Sequence, residues 1–264
     1  MRIKLSVTIV AYKNYNDIVN AITTIEKYTS NSISKYIYIV DNSGMDNREQ
    51  FESVEQFKNF LSNYTDVEYL AAGKNLGFGK GHNFVISRLD SEYHALVNPD
   101  ILLSSDAFTT ILEYLDNNLD VGMCIPNIIN ENGERTNAYR KELTVLDMFI
   151  RMFCGNLFAK RQAAHTLQDE DYSKPFQVPF GQGSFLVTRT QLFKELQGFD
   201  ERYFMYLEDA DLCRRVNEKS KLMYLPEASV IHKWEKGSHK KLNLFKAHLQ
   251  STFYYFRKWG IKLF

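Results

Sequence analysis

Residues 5–44 read LSVTIVAYKNYNDIVNAITTIEKYTSNSISKYIYIVDNSG, and they decide the fold class. Leu5–Ala11 is a short apolar run with the look of a buried strand, and a helical pattern follows from about Asn16 to Tyr28. Tyr36–Val40 is strand-like again and stops at Asp41-Asn42-Ser43-Gly44, a strong turn signal. Strand, helix and strand in succession make a βαβ unit, and with it a mostly parallel α/β sheet.

The alternation continues outward. Residues 47–62 have helical spacing, with Phe51, Val54, Phe57 and Leu61 on one face; Val67–Ala71 and Tyr93–Val97 read as strands with a Gly-rich turn and a helix between them. In such sheets ligands bind beyond the carboxyl ends of the strands, and these strands end in polar, turn-forming residues. The middle of the chain is less regular. Residues 144–160 read as an amphipathic helix, 165–177 as a polar loop, Gly183–Arg189 as a strand and 190–197 as a short helix. Residues 207–219 are helical, with acids in the first turn and bases later, the order the helix dipole favours. A strand at Ser229–Ile231 and a helix over 241–258 complete the reading, with no linker dividing the chain.

The chain has 264 residues, enough for a sizeable core, and its 32 bases equal its 32 acids. Zero net charge argues against a nucleic-acid coat. The balance is uneven, however. Seven bases and no acid fall between Lys236 and Phe264, so the rest of the chain is acidic. Cys124, Cys154 and Cys213 are widely spaced and form no CxxC pair, which fits a reducing compartment better than disulfides or zinc. The N-terminal apolar run is too short for a secretory signal, and no stretch is long enough to span a membrane.

Five motifs carry chemistry, each with a structural alternative. Val40-Asp41-Asn42-Ser43 is a turn, or a carboxylate placed to accept a ligand N–H such as N3 of a pyrimidine. Asn75-Leu76-Gly77-Phe78-Gly79-Lys80-Gly81-His82-Asn83 is a flexible loop, or glycines that admit a ligand closely, with Lys80 against diphosphate charge. Asn98-Pro99-Asp100 is a turn, or a strand-end carboxylate for Mg2+ or Mn2+. The run Gly198–Arg215 sets five acids among four aromatics, more than a helix N-terminus requires; carboxylates near apolar surface gain proton affinity, which suits general-base chemistry. His232-Lys233-Trp234-Glu235-Lys236-Gly237-Ser238 places a histidine at a strand end, where it can ligate a metal.

In order, VTIVAYKN, VDNS, NLGFGKGHN, LVNPD, GQGSFLVTR, FDERYFMYLEDADLCRR and IHKWEKGS resemble the inverting family 2 glycosyltransferases of GT-A fold, and most of all the bacterial rhamnosyltransferase-like branch of cell-surface polysaccharide assembly. The resemblance spans Val7 to about Ser238. It implies a Rossmann-like, mixed and mostly parallel sheet flanked by helices. Residues 1–239 would be the catalytic domain, with 1–100 the nucleotide-sugar half and 101–239 the acceptor half, and 240–264 a basic amphipathic C-terminal helix.

The same resemblance implies roles. Asp41, with Ala11 and Tyr12 beside it, would contact the pyrimidine of a dTDP- or UDP-sugar. Asn75, Gly77 and Lys80 would line the diphosphate cleft with Asn98 and Asp100. Asp100 and His232 would hold a divalent cation, Mg2+ or Mn2+. Asp209 would be the catalytic base, and Glu208 would position donor or acceptor, with Phe180 and Gly183 on the acceptor side. Two departures stand out. Asn98 replaces the first carboxylate of the common Asp-x-Asp motif, and Pro179-Phe180 stands where relatives often carry Asp-Trp, leaving Phe180 to stack on a sugar face.

The expected activity is transfer of L-rhamnose from dTDP-β-L-rhamnose to a polyprenyl-diphosphate-linked saccharide. Transfer from UDP-galactofuranose or another UDP-hexose is the alternative within the class. A nucleotidyltransferase should carry glycine in the first strand–helix turn, and AYKNYN has none; a non-catalytic sugar-nucleotide-binding protein is the third reading. The basic tail also carries Leu242, Phe245, Leu249, Phe253, Phe256 and Trp259 at helical spacing. It either docks on the domain or binds anionic lipid through Lys240, Lys241, Arg257 and Lys258, which would hold the protein, otherwise cytoplasmic, at the inner face of a bacterial cell membrane.

Overall fold

The first apolar run is a strand buried on both faces. In the computed structural model, which describes residues 3–44, 49–154, 157–233 and 242–264 without the side chains of 49–53, 242 and 243, it forms β1 (Ile3–Ala11). Leu5, Val7, Ile9 and Ala11 are buried on one face, Ser6 and Thr8 on the other. Such a strand needs helices above and below the sheet. α1 (Tyr15–Tyr28) supplies one cover through Ile18, Ala21, Ile22 and Ile25, and β2 (Lys35–Asp41) then pairs parallel with β1, Ala11 opposite Asp41. α2 (Glu49–Leu61) and β3 (Val67–Ala71) repeat the unit outward. Phe57 and Leu61 turn inward as the spacing predicts; Phe51 lies outside the described side chains.

α3 (Phe78–Asn83) and a 3-10 turn (Ile86–Arg88) then return the chain to the other side of β1, where β4 (Ser91–Val97) pairs parallel, Val97 opposite Ile9. The chain thus leaves β1 in both directions. That is a topological switch point, with its crevice at the carboxyl ends of β1 and β4.

The stretch that looks irregular in sequence holds β5 (Ile101–Leu103), α4 (Ala107–Asn117), β6 (Val121–Ile129) and β7 (Tyr139–Arg140). Asp106 caps α4 by accepting the Thr109 N–H at 3.0 Å. The expected helix over 144–160 is broken into α5 (Val145–Phe153) and α6 (Ala159–His165), with Phe158 left-handed at φ 67°. Gly155-Asn156, a helix-stop signal in the sequence, lies outside the described residues. The polar loop ends in β8 (Phe176–Gln177), and β9 (Phe180–Gly181) pairs antiparallel with β7, Phe180 opposite Arg140.

β10 (Phe185–Arg189), α7 (Thr190–Glu195), α8 (Glu208–Lys219), β11 (Lys221–His232) and α9 (Leu242–Trp259) follow. β11 is longer than the expected Ser229–Ile231. The main sheet runs β3-β2-β1-β4-β10-β6-β11-β5, with β8 on β11. The β3-β2-β1-β4 half is parallel, and β10 is antiparallel to both β4 and β6. This mixed, mostly parallel sheet between helices is the GT-A arrangement that the motifs imply.

α9 docks on the body. Ser251, Tyr255 and Phe256 are buried, and Ser251 donates to the Met205 carbonyl at 2.8 Å. Lys258, expected to face lipid, is instead 2.9 Å from Asp200 Oδ2 and 2.6 Å from Asp211 Oδ1, because two inward acids there need a counter-charge. The outward face carries Phe245, Leu249 and Phe253 with Lys246 and Arg257. Lys236, Lys240 and Lys241, the segment from Trp234 to Ser238 and the 239/240 boundary lie outside the described residues. Among those described, no helix is long and apolar enough to cross a membrane.

Candidate active site

Strand register brings the motifs to one edge of the sheet. Ala11, Asp41 and Ala71 are side by side at the ends of β1, β2 and β3. Val97 ends β4 opposite Phe185, which opens β10, and His232 ends β11 opposite Ile101. Asn98, Asp100, Gly183 and His232 therefore share the edge that Asp41 occupies.

Asp41 is buried, and its carboxylate is built into a network. Oδ2 accepts from Tyr15 OH at 2.9 Å and Tyr69 OH at 2.5 Å, and Oδ1 accepts the Ser43 N–H at 2.8 Å. The Asp41 charge also raises both phenols, after burial as the larger cause, with Tyr15 pushed up to about 12. The Ser43 contact is the turn that the sequence allows, and Oδ1 still keeps accepting capacity. Tyr12, next to buried Ala11, is 51% exposed at the switch point, with Lys13 Nζ 5.7 Å from its ring centre.

Asp100 Oδ2 lies 3.1 Å from His232 Nε2, and the Lys233 N–H donates to the Asp100 carbonyl at 3.0 Å. The two expected metal ligands are thus neighbours, although 132 positions apart in sequence. Nearby, the Asn98 N–H donates to the Ser184 carbonyl at 2.8 Å, while Asn98 Oδ1 and Ser184 Oγ are buried with no hydrogen-bond partner among the described residues. Buried acceptors left without a partner cost about 1–3 kcal/mol each.

Glu208 and Asp209 open α8 from a strained approach. Tyr206 (φ 70°) and Leu207 (φ 65°) are both left-handed, at a cost of about 1–3 kcal/mol each. The strain delivers two acids to a helix N-terminus, where the dipole favours negative charge. Asp209 Oδ2 accepts the Gly183 N–H at 3.0 Å and Oδ1 accepts the Ala210 N–H at 2.9 Å. A Cβ on Gly183 would sit 3.0 Å from Asp209 Cβ, so glycine is what lets the two approach. Glu208 is 5% exposed and its Oε2 has no partner among the described residues. Burial, then the neighbouring Asp209 charge, pushes its carboxyl up to about 8. Asp209 is also raised by burial, but the Gly183 N–H, Arg140, the Ala210 N–H and Arg151 pull it back. Burial thus raises both acids, and the donors and cations that oppose the shift gather at Asp209.

A model of the family described as Glycosyl transferase family 2 matches residues 6–197. The chain belongs to glycosyl transferase family 2. Among relatives, rhamnosyltransferase WbbL of Escherichia coli (strain K12) is 26% identical over 207 residues, 75% of this chain and 76% of that protein. N-acetylglucosaminyl-diphospho-decaprenol L-rhamnosyltransferase of Mycobacterium tuberculosis (strain CDC 1551 / Oshkosh) is 27% identical over 208 residues, 73% of this chain and 67% of that protein. In structure the chain is similar to GalNAc-T7, solved with UDP, GalNAc and Mn2+, at TM-score 0.73 and 12% identity over 97% of this chain and 48% of that one. It is also similar to the mannosyltransferase PcManGT from Pyrobaculum calidifontis, solved with GDP-Man and Mn2+, at TM-score 0.64 and 14% identity over 97% of this chain and 65% of that one. The chain thus spans about half and about two thirds of those two structures, and at such identity they speak for the fold alone.

Two readings of family 2 motifs change in this chain. The glycines of residues 77–81 meet protein: a Cβ would fall 2.1 Å from the Phe204 carbonyl oxygen at Gly77, 2.8 Å from Phe199 at Gly79 and 2.8 Å from Val10 at Gly81. The loop is the start of α3 itself, fixed by Asn42 Nδ2 donating to the Gly77 carbonyl at 2.9 Å and by Asn75 Oδ1 accepting the Gly77 N–H at 2.9 Å. Lys80 is 3.6 Å from Glu201. Phe180 is 4% exposed, so its ring offers a sugar almost no face; the Arg140 guanidinium lies 5.3 Å from the ring centre. Sequence reasoning missed Arg140, Arg151, Tyr15, Tyr69 and Ser184. Arg140 had a signal only through strand pairing, which sequence does not display.

Proposed function

We propose that this family 2 glycosyltransferase is inverting, and that it moves L-rhamnose from dTDP-β-L-rhamnose to a saccharide carried on a polyprenyl diphosphate. The observation that carries the mechanism is the Asp209 carboxylate, held by the Gly183 N–H at the edge of the sheet where the strand-end motifs meet. Two relatives named as rhamnosyltransferases, one acting on a diphospho-decaprenol-linked sugar, support the choice of sugar and acceptor.

An acceptor hydroxyl is a poor nucleophile at neutral pH, so a carboxylate must take its proton as attack proceeds. Asp209 takes that role. Glu208, carrying its own proton, donates a hydrogen bond that positions donor or acceptor. One in-line displacement inverts the anomeric carbon, so one base suffices, and dTDP-β-L-rhamnose would give an α-L-rhamnoside. Asp41 and the backbone at Ala11 and Tyr12 receive the pyrimidine, while Asn75, Lys80, Asn98 and Asp100 line the diphosphate side. Residues 1–100 would serve the donor and 101–239 the acceptor.

The Asp100 and His232 pair fits a divalent cation. It offers one oxygen and one nitrogen donor and leaves the remaining positions for diphosphate oxygens, which is how Mg2+ and Mn2+ are commonly held. Two structural neighbours solved with Mn2+ support this choice. When bound, the ion supplies positive charge against the departing nucleoside diphosphate.

Purified protein tested against a panel of dTDP- and UDP-sugars with Mn2+ decides the donor. Transfer from dTDP-β-L-rhamnose above all others is the expected result; preference for UDP-galactofuranose or another UDP-hexose replaces rhamnose, and no transfer from any donor overturns the catalytic reading.

A further inference from the structure

The segment that delivers Glu208 and Asp209 is gripped by α9. The His248 ring lies 5.1 Å from the Tyr206 ring, and Ser251 Oγ donates to the Met205 carbonyl at 2.8 Å. One turn on, the Tyr254 ring is 4.8 Å from the Tyr203 ring, and its hydroxyl donates to Asp200 Oδ2 at 3.2 Å. Lys258 Nζ then reaches Asp200 Oδ2 at 2.9 Å and Asp211 Oδ1 at 2.6 Å, and Trp259 Nε1 donates to the same Asp211 oxygen at 2.8 Å. Positions 248, 251, 254 and 258 recur every three or four residues, so one face of the helix makes these contacts. They fall on both sides of the acid pair, on residues 200–206 before it and on Asp211 after it.

That segment needs holding. Tyr206 and Leu207 are left-handed, a conformation that persists in such residues only where the surroundings over-determine it. α3 supplies one hold, the Phe78 N–H donating to the Phe204 carbonyl at 3.2 Å. α9 supplies the other. The Met205 carbonyl that Ser251 engages belongs to the rigid peptide plane leading directly into Tyr206. The φ of Tyr206 is the rotation about the bond that joins this plane to its Cα, so a plane that turns carries φ with it.

The contact is buried and polar. Ser251 is 4% exposed, and the Asp211 side chain is sealed from water. Asp211 also holds Arg215 at 2.8 Å, and Arg215 donates on to the carbonyls of Leu196 and Gly198, both at 2.8 Å. Through Asp211, α9 is therefore tied to α8 itself and to the turn that enters residue 200. A helix docked for stability alone could rest on any apolar flank of the body. This one spends its hydrogen bonds on the approach to the acids, while its own Phe245, Leu249 and Phe253 stay outside.

We infer that α9 is a strap that keeps the approach to Glu208 and Asp209 in its left-handed form, with Ser251 and Tyr254 as positioning residues. The inference rests on Asp209 as the base, and it goes further by making turnover depend on a helix that gives no group to the substrate. A general base must stand within hydrogen-bond reach of the proton it takes, and a misplacement of about 1 Å can cost about 10²-fold in rate. With the Met205 carbonyl released, its peptide turns, Tyr206 and Leu207 relax toward ordinary φ, and the first turn of α8 moves with them away from Gly183. Asp41, Asp100 and His232 stand on other elements, so the donor contacts are left in place.

The test compares S251A and Y254F with T252A in the full chain, well below the Tm of each. Thr252 Oγ1 bonds the His248 carbonyl at 2.8 Å inside α9, so T252A loses a similar bond without touching the approach. With dTDP-β-L-rhamnose at saturation, kcat should fall about tenfold or more in S251A, in the same direction in Y254F and not in T252A, with donor Kd unchanged in all three. Amide hydrogen exchange over 203–211 should quicken in S251A while β1 and β4 keep their protection. Wild-type kcat in both S251A and Y254F overturns the proposal, as does unaltered exchange over 203–211 or exchange that quickens throughout the protein, the mark of plain destabilisation. D209N in the same assay separates the two readings. Full turnover there with loss in S251A removes the base and leaves the strap; collapse there with full turnover in S251A removes the strap and leaves the base. Should no donor be transferred, the exchange result alone decides.

Discussion

Glu208 and Asp209 are adjacent acids in unlike surroundings. Glu208 is sealed from water with an oxygen unpartnered among the described residues, whereas Asp209 receives two N–H bonds and the field of two arginines. The native state holds the Glu208 proton up to about pH 8, while the unfolded chain releases it near the ordinary value of 4.5. Between those values the native state binds more protons than the unfolded one, so this group makes stability fall as pH rises. Glu208→Gln removes that dependence. The Tm of the variant relative to wild type should climb between pH 5 and pH 8, by roughly 2–4 °C for each kcal/mol involved. Scanning calorimetry at several pH values checks this, and a constant difference across the window contradicts it. The acidic pair is plain in the sequence. How their surroundings differ is not, because that depends on two left-handed residues, Tyr206 and Leu207, and on a glycine arriving from 26 residues away.

At the scale of elements, the periodic segments are legible in the sequence and the irregular ones are not. β1 to β3 and their helices follow directly from apolar spacing. β6 escapes the reading because Pro126 interrupts VGMCIPNII, and proline argues against an interior strand. The structure tolerates it because the pairing with β11 shifts register between Leu225 and Ser229, just where Pro126 lacks an N–H to give. α9 is legible as a helix, but the direction of its bases is not. Lys258 bridges Asp200 and Asp211, and Trp259 Nε1 donates to Asp211 at 2.8 Å. Lys258→Ala should therefore destabilise the protein by about 1–3 kcal/mol, since Arg215 still faces Asp211. Exposed Arg257→Ala should stay within about 0.5 kcal/mol. Urea unfolding of both variants measures the contrast, and equal effects would mean that α9 is not anchored through Lys258.

Over the whole molecule, the zero net charge resolves into unlike regions. Acids cluster at the open end of the sheet, with Asp41, Asp100, Glu208 and Asp209 drawn there from separate elements by strand pairing. α9 turns Lys258 inward and leaves Phe245, Leu249, Phe253, Lys246 and Arg257 outside. If that outer face meets an anionic membrane, co-sedimentation with phosphatidylglycerol vesicles should fall when its apolar contacts are removed together, in Phe245→Ser with Leu249→Ser and Phe253→Ser. Arg257→Gln should cost about 1 kcal/mol of the same binding. Unchanged co-sedimentation removes the membrane from the account while leaving the catalytic edge intact. The motifs of that edge are readable as residue types in order. Their convergence requires the sheet, since Asp100 and His232 meet only because β5 and β11 pair.

The central claim is that Asp209 is the base of an inverting transfer, and it is tested most directly by the turnover of Asp209→Asn at saturating donor, with donor Kd measured alongside. The side chain keeps its shape and an oxygen for the Gly183 N–H but accepts no proton. Turnover should fall by about 10²–10⁴-fold with donor Kd unchanged, whereas turnover within a few-fold of wild type would contradict the account.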